Sequence, residues 1–286
     1  MFRSSTIQLL RFHFSFFLMP VYWFALSQIF EVNWQRALLV FVILHLLVYP
    51  SSNGYNSYMD RDTESIGGIK NPKAPTRQLF YTSVTMDILA ILLSFFISIY
   101  FVVGIALYIT ASRAYSYRGI RLKKYPILGY VTVIFFQGAV TYFLVKHGCS
   151  ATLQLSVSPV AMAASSLLVG GFYPLTQIYQ HRQDKADGVR TLSMMLGYKG
   201  TFVFTAVVYF VAMVLLGIYF AENLELDKFI VFQTFMLPVL VYFFRWFYKV
   251  YKNTENANFT NTMRMNLLAS ICTNAAFITI LIIDKF

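Results

Sequence analysis

Residues 56–64 are Asn-Ser-Tyr-Met-Asp-Arg-Asp-Thr-Glu, and residues 180–188 are Gln-His-Arg-Gln-Asp-Lys-Ala-Asp-Gly. Each stretch follows a long apolar run, and the two together hold five of the 12 acidic residues in the chain. Carboxylates beside bilayer-length apolar segments are energetically costly and usually functional. These stretches, named here the first and second acidic clusters, therefore indicate a functional site at the ends of membrane helices.

The composition predicts an all-α, polytopic membrane protein. The chain is 58% hydrophobic and only 12% charged, and its mean hydropathy is +0.60, whereas a soluble domain has about 25% charged residues. Apolar runs of about 20 residues, enough to cross a bilayer as a helix, recur along the chain. We expect one transmembrane domain over residues 1–286, with nine helices close to 11–30, 37–58, 79–98, 100–115, 126–145, 158–180, 201–220, 229–249 and 265–283.

The distribution of the basic residues along the chain indicates the membrane topology. The net charge of +11 does not indicate a nucleic-acid partner, because Lys and Arg lie in short gaps between apolar runs and do not form a basic face. With the N-terminus inside, 19 of the 23 Lys and Arg residues fall on the inner side. This positive-inside bias predicts that the N-terminus and both acidic clusters face the cytoplasm, with a cell inner membrane as the expected location.

Two further features limit the alternatives. Cys149 and Cys272 are too few for a disulfide framework and are expected to be small buried hydrophobes. The first apolar run is long, and no small-residue cleavage site follows it, so we do not expect a cleavable signal peptide.

The first acidic cluster has helical spacing. Asn56, Asp60 and Glu64 are four residues apart, which places them on one face if the helix continues through Glu64. We expect Gly67 and Gly68 to end that helix.

The second acidic cluster repeats this spacing. Gln180, Asp184 and Gly188 are again four residues apart, and Asp187 shares the face of Asp184. Carboxylates grouped in this way suit Mg²⁺, which is commonly held by one or two carboxylates together with substrate phosphates. The alternative is that both clusters are solvated loop charges, although their common side and spacing favour a diphosphate site.

These motifs resemble those of the UbiA superfamily of intramembrane prenyltransferases. In that family an Asn-x-x-x-Asp-x-x-x-Asp motif follows the second helix, and an Asp-x-x-x-Asp motif follows the sixth. The matching residues here are Asn56, Asp60 and Glu64, then Asp184, Gly188, Thr191 and Leu196-Gly197, with Ala114-Tyr115-Ser116, Leu122-Lys123-Lys124, Pro126 and Gly129 between them. Glu64 stands for the last Asp of the first motif. Two larger departures are Gln180, where the family usually has Asp, and Ser57, where an Asp often follows the motif Asn.

The resemblance implies a UbiA-like bundle around a central cavity and Mg²⁺-dependent transfer from an isoprenyl diphosphate. It implies metal ligands at Asn56, Asp60, Glu64, Asp184 and Asp187, and catalytic roles for Asp60, Asp184 and Tyr115. The expected substrate-binding residues are Asn56, Tyr58, Lys70, Lys73, Lys123, Tyr179, Gln180 and Arg182. Each of these Lys and Arg residues also has a simpler reading as a topology signal, and each Tyr as an interfacial residue.

Other functions stay open from the sequence. The acceptor is expected to be small and aromatic or lipophilic, but a UbiA-type terpene cyclase would need no separate acceptor. An ion-coupled transporter is a remote alternative, because no chain of charges crosses the midplane. Asp87 lies inside an apolar run and either steers the acceptor or the cation or simply reaches the membrane interface. Gln137, in another apolar run, either faces the cavity or makes a helix–helix hydrogen bond.

Overall fold

The computed structural model describes residues 3–61 and 63–285. Within these ranges the chain is helical apart from turns and two isolated β-bridges, Val32 with Ser150 and Ile66 with Ile69. Nine helical segments follow one another, which confirms the all-α prediction. They are α1 (Ser4–Phe17 and Met19–Ser27, bent by 40°), α2 (Trp34–Asp60), α3 (Arg77–Ser94), α4 (Ile99–Ser116), α5 (Pro126–Cys149), α6 (Pro159–Ala186), α7 (Leu192–Glu222), α8 (Leu226–Lys252) and α9 (Phe259–Lys285).

Seven of the described helices are long and apolar enough to cross a membrane, and the bent pair in α1 raises the number to eight. The predicted count of nine is therefore slightly too high by this criterion. The difference is α3, because Arg77, Gln78 and Asp87 make this 18-residue helix more polar than the other spans.

Several helices contain local irregularities. A π-helical segment, Val42–Val48, lies within α2, and another, Phe135–Val140, lies within α5. In α6 the segment Tyr173–Gln180 is 3-10 helix. Gly197 interrupts α7 with φ 69°, a conformation that glycine adopts at little cost. Such irregular segments occur frequently at functional sites.

Polar side chains fix where four helices begin. Asn33 caps α2, Ser98 caps α4, Ser158 caps α6 and Thr191 caps α7, and each accepts a bond from the backbone N–H three residues later. These caps satisfy donors that the first helical turn leaves unpaired. Thr191 thereby sets the start of α7 directly after the second acidic cluster.

The helices form a closed arrangement. Each helix contacts the next one along the chain, α9 packs against α1, and α1 also packs against α5. Phe24 of α1 stacks on Phe277 of α9 with ring centroids 4.7 Å apart, and Phe232 of α8 lies 4.9 Å from the same ring. Leu107, Val207 and Leu237 are examples of large apolar side chains on the outer face, as expected for a surface in contact with lipid.

The first acidic cluster departs from the predicted helix. α2 ends at Asp60, because Arg61 adopts a left-handed conformation with φ 55°. The prediction that Gly67 and Gly68 end the helix is therefore wrong, and Glu64 does not continue the helical face of Asn56 and Asp60. Asp62 lies outside the described residues.

Candidate active site

A cavity of about 210 Å³ opens between the ends of α2, α4, α5 and α6. Both acidic clusters contribute to its wall, although they are more than 100 residues apart in sequence. Eight of the predicted site residues line it: Asn56, Asp60, Tyr115, Lys123, Tyr179, Gln180, Asp184 and Asp187. The fold thus brings most of the predicted set to one place.

A basic segment, residues 118–123, bridges the two acidic clusters. Lys123 Nζ lies 2.5 Å from Asp60 Oδ1, and Arg121 lies 3.8 Å from the same oxygen. Arg121 also pairs with the carboxylate of Asp187 and donates to its carbonyl oxygen at 3.0 Å. The Asp60 side chain is only 4% exposed. Lys123 and Arg121 neutralise its buried charge.

The turn after α6 shapes the second acidic cluster. Asp184 lies in the short helix His181–Ala186, and its carbonyl oxygen accepts from the Val189 N–H at 2.8 Å. Gly188 makes this turn with φ 67°, which favours glycine. The Gln180 amide donates to the Ser65 carbonyl oxygen at 3.3 Å, which ties α6 to the loop that follows the first cluster.

The inner wall of the cavity is aromatic. The hydroxyls of Tyr115 and Tyr173 are hydrogen-bonded to each other. Tyr108 and Phe136 pack edge to face with centroids 6.0 Å apart, and all four residues line the cavity. At its polar end, Asn56 Oδ1 accepts from Ser116 Oγ at 2.9 Å. The cavity therefore runs from a charged mouth to an interior lined by aromatic side chains.

A family model described as the UbiA prenyltransferase family matches residues 16–268. The chain belongs to this family. It is accordingly an integral, multi-pass membrane protein of a prenyltransferase family, and the resemblance seen in its motifs is confirmed. No curated protein sequence matches the chain.

Solved structures share the fold. A UbiA homologue from Archaeoglobus fulgidus bound to DMAPP and Mg²⁺ superposes with a TM-score of 0.73 at 15% identity, covering 98% of this chain and 100% of that one. The same homologue bound to GPP and Mg²⁺ gives 0.71 at 15% identity, covering 97% and 99%. The apo form of a homologue from Aeropyrum pernix K1 gives 0.69 at 18% identity, covering 94% and 98%.

The oxygen donors of the cavity fit a hard divalent cation. Carboxylates come from Asp60, Asp184 and Asp187, and amide oxygens come from Asn56 and Gln180. Within residues 3–61 and 63–285, no three His, Cys, Asp or Glu side chains form a complete metal cage. Mg²⁺ keeps several waters and takes phosphate oxygens alongside one or two carboxylates, so this open donor set suits a metal held jointly with a diphosphate.

Five predicted site residues lie outside the cavity wall. Glu64 pairs with Arg182, whose side chain is 87% exposed. Lys73 Nζ donates to Ser4 Oγ at 2.6 Å, and Lys70 is exposed. Tyr58 packs on Phe80 with centroids 5.2 Å apart.

Arg11 and Tyr173 line the cavity, and Arg121 pairs with two of its carboxylates, but none of the three is among the predicted site residues. Arg11 is only 7% exposed, and its guanidinium donates to the Asn53 carbonyl oxygen at 3.2 Å. From the sequence alone, Arg11 and Arg121 contribute only to the count of inner-side basic residues. A charge within the first apolar run is the feature that could have identified Arg11, because buried intramembrane charges are usually functional. No feature of the sequence distinguishes Tyr173 from the other tyrosines in the chain.

Proposed function

We propose that the protein catalyses Mg²⁺-dependent transfer of an isoprenyl group from an isoprenyl diphosphate to a small acceptor within the membrane. The acceptor is expected to be aromatic or lipophilic. One observation carries this proposal: two acidic clusters and a basic segment meet at the mouth of a single cavity whose interior is aromatic. The Archaeoglobus homologue, which was solved with GPP or DMAPP and Mg²⁺, supports the same reading.

The mouth of the cavity would hold the diphosphate. Asp60, Asp184 and Asp187, with the amide oxygens of Asn56 and Gln180, are the proposed Mg²⁺ ligands. When bound, Mg²⁺ would neutralise charge on the leaving diphosphate. Lys123 and Arg121 are placed to exchange their contacts with Asp60 and Asp187 for contacts with phosphate oxygens. Glu64 remains a predicted ligand whose pairing with Arg182 places it at the edge of the site.

The interior of the cavity would receive the isoprenyl group. Cleavage of the bond between C1 and the diphosphate oxygen sends both bonding electrons to the diphosphate and leaves an allylic cation. Tyr108, Tyr115 and Phe136 line this interior, and aromatic rings attract cations to their faces. The acceptor then bonds to C1, and its displaced proton leaves with the diphosphate. These side chains also exclude water, which would otherwise capture the cation.

The location is part of the proposal. We infer that residues 1–286 act as one transmembrane domain in a cell inner membrane, with the cavity mouth towards the cytoplasm. The bias of 19 basic residues to 4 supports this orientation. Residues from α1, α2, α4, α5 and α6 line the cavity, so the proposed site depends on how these five helices pack.

The decisive experiment combines two carboxylate variants with a matched control. Purified protein is incubated with C10–C20 isoprenyl diphosphates and Mg²⁺, and the products are analysed with and without candidate acceptors. Asp60→Ala and Asp184→Ala should each lower turnover by at least about 100-fold, the scale of losing one preorganised stabilising group. Asp227→Ala, at an exposed position on the first turn of α8, should retain wild-type turnover.

Two outcomes would redirect the proposal. Near-normal turnover by Asp60→Ala or Asp184→Ala would contradict the metal assignment. A cyclic isoprenoid hydrocarbon or a cyclic isoprenoid alcohol, formed without any added acceptor, would instead support the terpene cyclase alternative.

A further inference from the structure

A basic pocket lies where the end of α8 meets the start of α9, on the side of the molecule that carries the acidic clusters. Its volume is about 290 Å³. The residues that line it are Val241, Tyr242, Arg245, Trp246, Lys249 and Asn261. Among the described residues, none lines both this pocket and the candidate active-site cavity. The proposed reaction therefore gives this pocket no role.

The cations of the pocket have no acidic partner. Arg245 and Lys249 lie one helical turn apart on α8, and both are exposed. Within the described part of the chain neither forms a salt bridge, whereas Lys123 of the candidate active site pairs with a carboxylate. Arg264 of α9 is also exposed and equally without a salt bridge in this part of the chain. The joint between α8 and α9 therefore carries a concentrated positive charge.

The wall behind these cations is held by hydrogen bonds. Trp246 is only 2% exposed, and its indole N–H donates to the Asn256 carbonyl oxygen at 2.8 Å. The Tyr242 hydroxyl donates to the Asn261 carbonyl oxygen at 3.3 Å. Glu255, the one acidic residue in the turn between the two helices, does not line the pocket. The pocket is thus a preformed basic surface backed by aromatic side chains.

Exposed apolar side chains continue from the pocket towards the middle of the bundle. Val241 and Leu237 lie one and two turns before Arg245 on α8, and both are 58% exposed. On α9, Leu267 and Ile271 lie about one and two turns after the basic residue, and both are 49% exposed. Helical spacing places each row on one face of its helix. Because α8 and α9 pack against each other as antiparallel neighbours, both rows run away from the charged end.

An anionic phospholipid matches both parts of this surface. Basic pockets between transmembrane helices on the cytoplasmic side bind the head groups of such lipids. The cations suit the phosphate, and the exposed apolar rows suit the acyl chains. A soluble phosphate would leave the apolar rows uncovered, and a zwitterionic lipid would bring its own ammonium group close to Arg245 and Lys249.

We propose that the pocket between α8 and α9 binds the head group of an anionic phospholipid. Arg245 and Lys249 contact the phosphate oxygens, and Arg264 adds positive charge from α9. The acyl chains lie along the two apolar rows. The bound lipid holds this end of α8 and α9 in the head-group layer of the leaflet that the cavity mouth faces.

Trp246 provides a fluorescent reporter in the pocket, because the chain has only three tryptophans. A parent protein with Trp23→Phe and Trp34→Phe is purified and reconstituted in phosphatidylcholine vesicles. Increasing fractions of phosphatidylglycerol or phosphatidylcholine with dibrominated acyl chains are then included. Bromine quenches tryptophan at short range, so the quenching of Trp246 measures which lipid occupies the pocket. The parent should prefer phosphatidylglycerol by about fivefold for each of the two cations, the scale of one basic residue at an anionic surface.

Two charge-matched double variants separate the pocket from the general positive charge of this side. Arg245→Gln combined with Lys249→Gln should abolish the preference for phosphatidylglycerol. Arg77→Gln combined with Lys124→Gln removes two exposed cations outside the pocket and should keep the preference within twofold of the parent. Both double variants change exposed side chains, so both should unfold at the temperature of the parent. An excess of inorganic phosphate should not release the lipid, because phosphate buries no apolar surface.

Several results would contradict this inference. Equal quenching of the parent by the two brominated lipids would show that the pocket does not select anionic head groups. An unchanged preference in the Arg245 and Lys249 double variant would show that these cations do not bind the lipid, and an equal loss in both double variants would indicate only a general effect of charge. Release by inorganic phosphate would assign the cations to a soluble anion. None of these measurements involves turnover, so the lipid site and the proposed reaction are tested independently.

Discussion

Lys123 and Lys124 are adjacent in sequence but differ in surroundings. Lys123 lines the candidate cavity and pairs with Asp60, whereas Lys124 is exposed and its ammonium lies 4.9 Å from the Tyr125 ring centroid. Only Lys123 is placed to reach a phosphate in the cavity. The pair therefore offers a matched test of the proposed diphosphate contact.

We predict that Lys123→Met raises the KM for the isoprenyl diphosphate by about 10–100-fold, since a hydrogen bond to a charged group is worth about 1.5–3 kcal/mol. Methionine keeps most of the side-chain length and removes the charge. Steady-state kinetics with varied diphosphate concentration measures the effect. Lys124→Met should stay within twofold of wild type, and an equal rise in both variants would indicate only a general loss of positive charge.

Gln180 has a contact that its sequence position did not reveal. Its amide N–H donates to the Ser65 carbonyl oxygen, so the residue also anchors the loop after the first cluster. A Glu at this position adds a negative charge for Mg²⁺ but removes that donor. Gln180→Glu is therefore expected to strengthen Mg²⁺ binding and to weaken the attachment of the loop.

We predict that Gln180→Asp lowers the Mg²⁺ concentration needed for half-maximal activity if the residue is a ligand, because an anion replaces a dipole. Gln180→Glu should be measured beside it, since Asp is shorter than Gln. Unchanged Mg²⁺ dependence in both variants, with Asp184→Ala inactive, would show that Gln180 positions the loop and does not ligate metal.

A buried ion pair outside the cavity wall joins helices α3 and α4. Asp87 of α3 is 8% exposed and accepts from Arg113 Nε of α4 at 3.0 Å, and Arg113 also donates to Ser51 Oγ of α2 at 2.7 Å. The guanidinium lies 4.1 Å from the centroid of the Tyr55 ring. Asp87 therefore joins α3 to α4, a role that the sequence did not predict.

We predict that Asp87→Ala destabilises the protein by about 3–5 kcal/mol, because it leaves the Arg113 charge buried and uncompensated. A drop in the thermal unfolding temperature in detergent would register this. The double variant Asp87→Leu with Arg113→Met should recover much of the loss, since replacing both ions by apolar groups is often neutral. A double variant as unstable as Asp87→Ala would contradict this account.

The contact between α5 and α6 depends on one glycine. A Cβ added to Gly138 would lie 2.6 Å from the backbone nitrogen of Ser166, which is closer than real Cβ contacts. Small residues commonly allow such close helix packing in membranes. At Gly217 the nearest atom would be 3.6 Å away, on the Phe229 ring.

We predict that Gly138→Ala lowers stability by about 1–3 kcal/mol through overpacking, whereas Gly217→Ala is neutral or slightly stabilising because alanine favours helix. Measuring the thermal unfolding temperatures of both variants side by side tests this expected difference in stability. Similar unfolding temperatures would indicate that α5 and α6 move apart to accept the added methyl group without loss of stability.

At the scale of the whole molecule, the distribution of basic residues predicts that the cavity mouth faces the cytoplasm. In a background where the buried Cys149 and Cys272 are replaced, Thr63→Cys should be protected from an impermeant thiol reagent in intact cells. Leu224→Cys, at the 93% exposed tip between α7 and α8, should react. Labelling of Thr63→Cys from outside would reverse the proposed orientation.

The sequence by itself determined the helical class, the family and most of the acidic cluster residues, because apolar length and four-residue spacing are local properties of the chain. It slightly overestimated the number of spans and extended α2 to Glu64, since the left-handed Arg61 that ends the helix has no clear sequence signal. Only the tertiary structure decided that Arg121 bridges the two acidic clusters and that Arg11 reaches Asn53. These contacts join residues far apart in the chain, and their geometry depends on how helices pack, which local spacing does not encode.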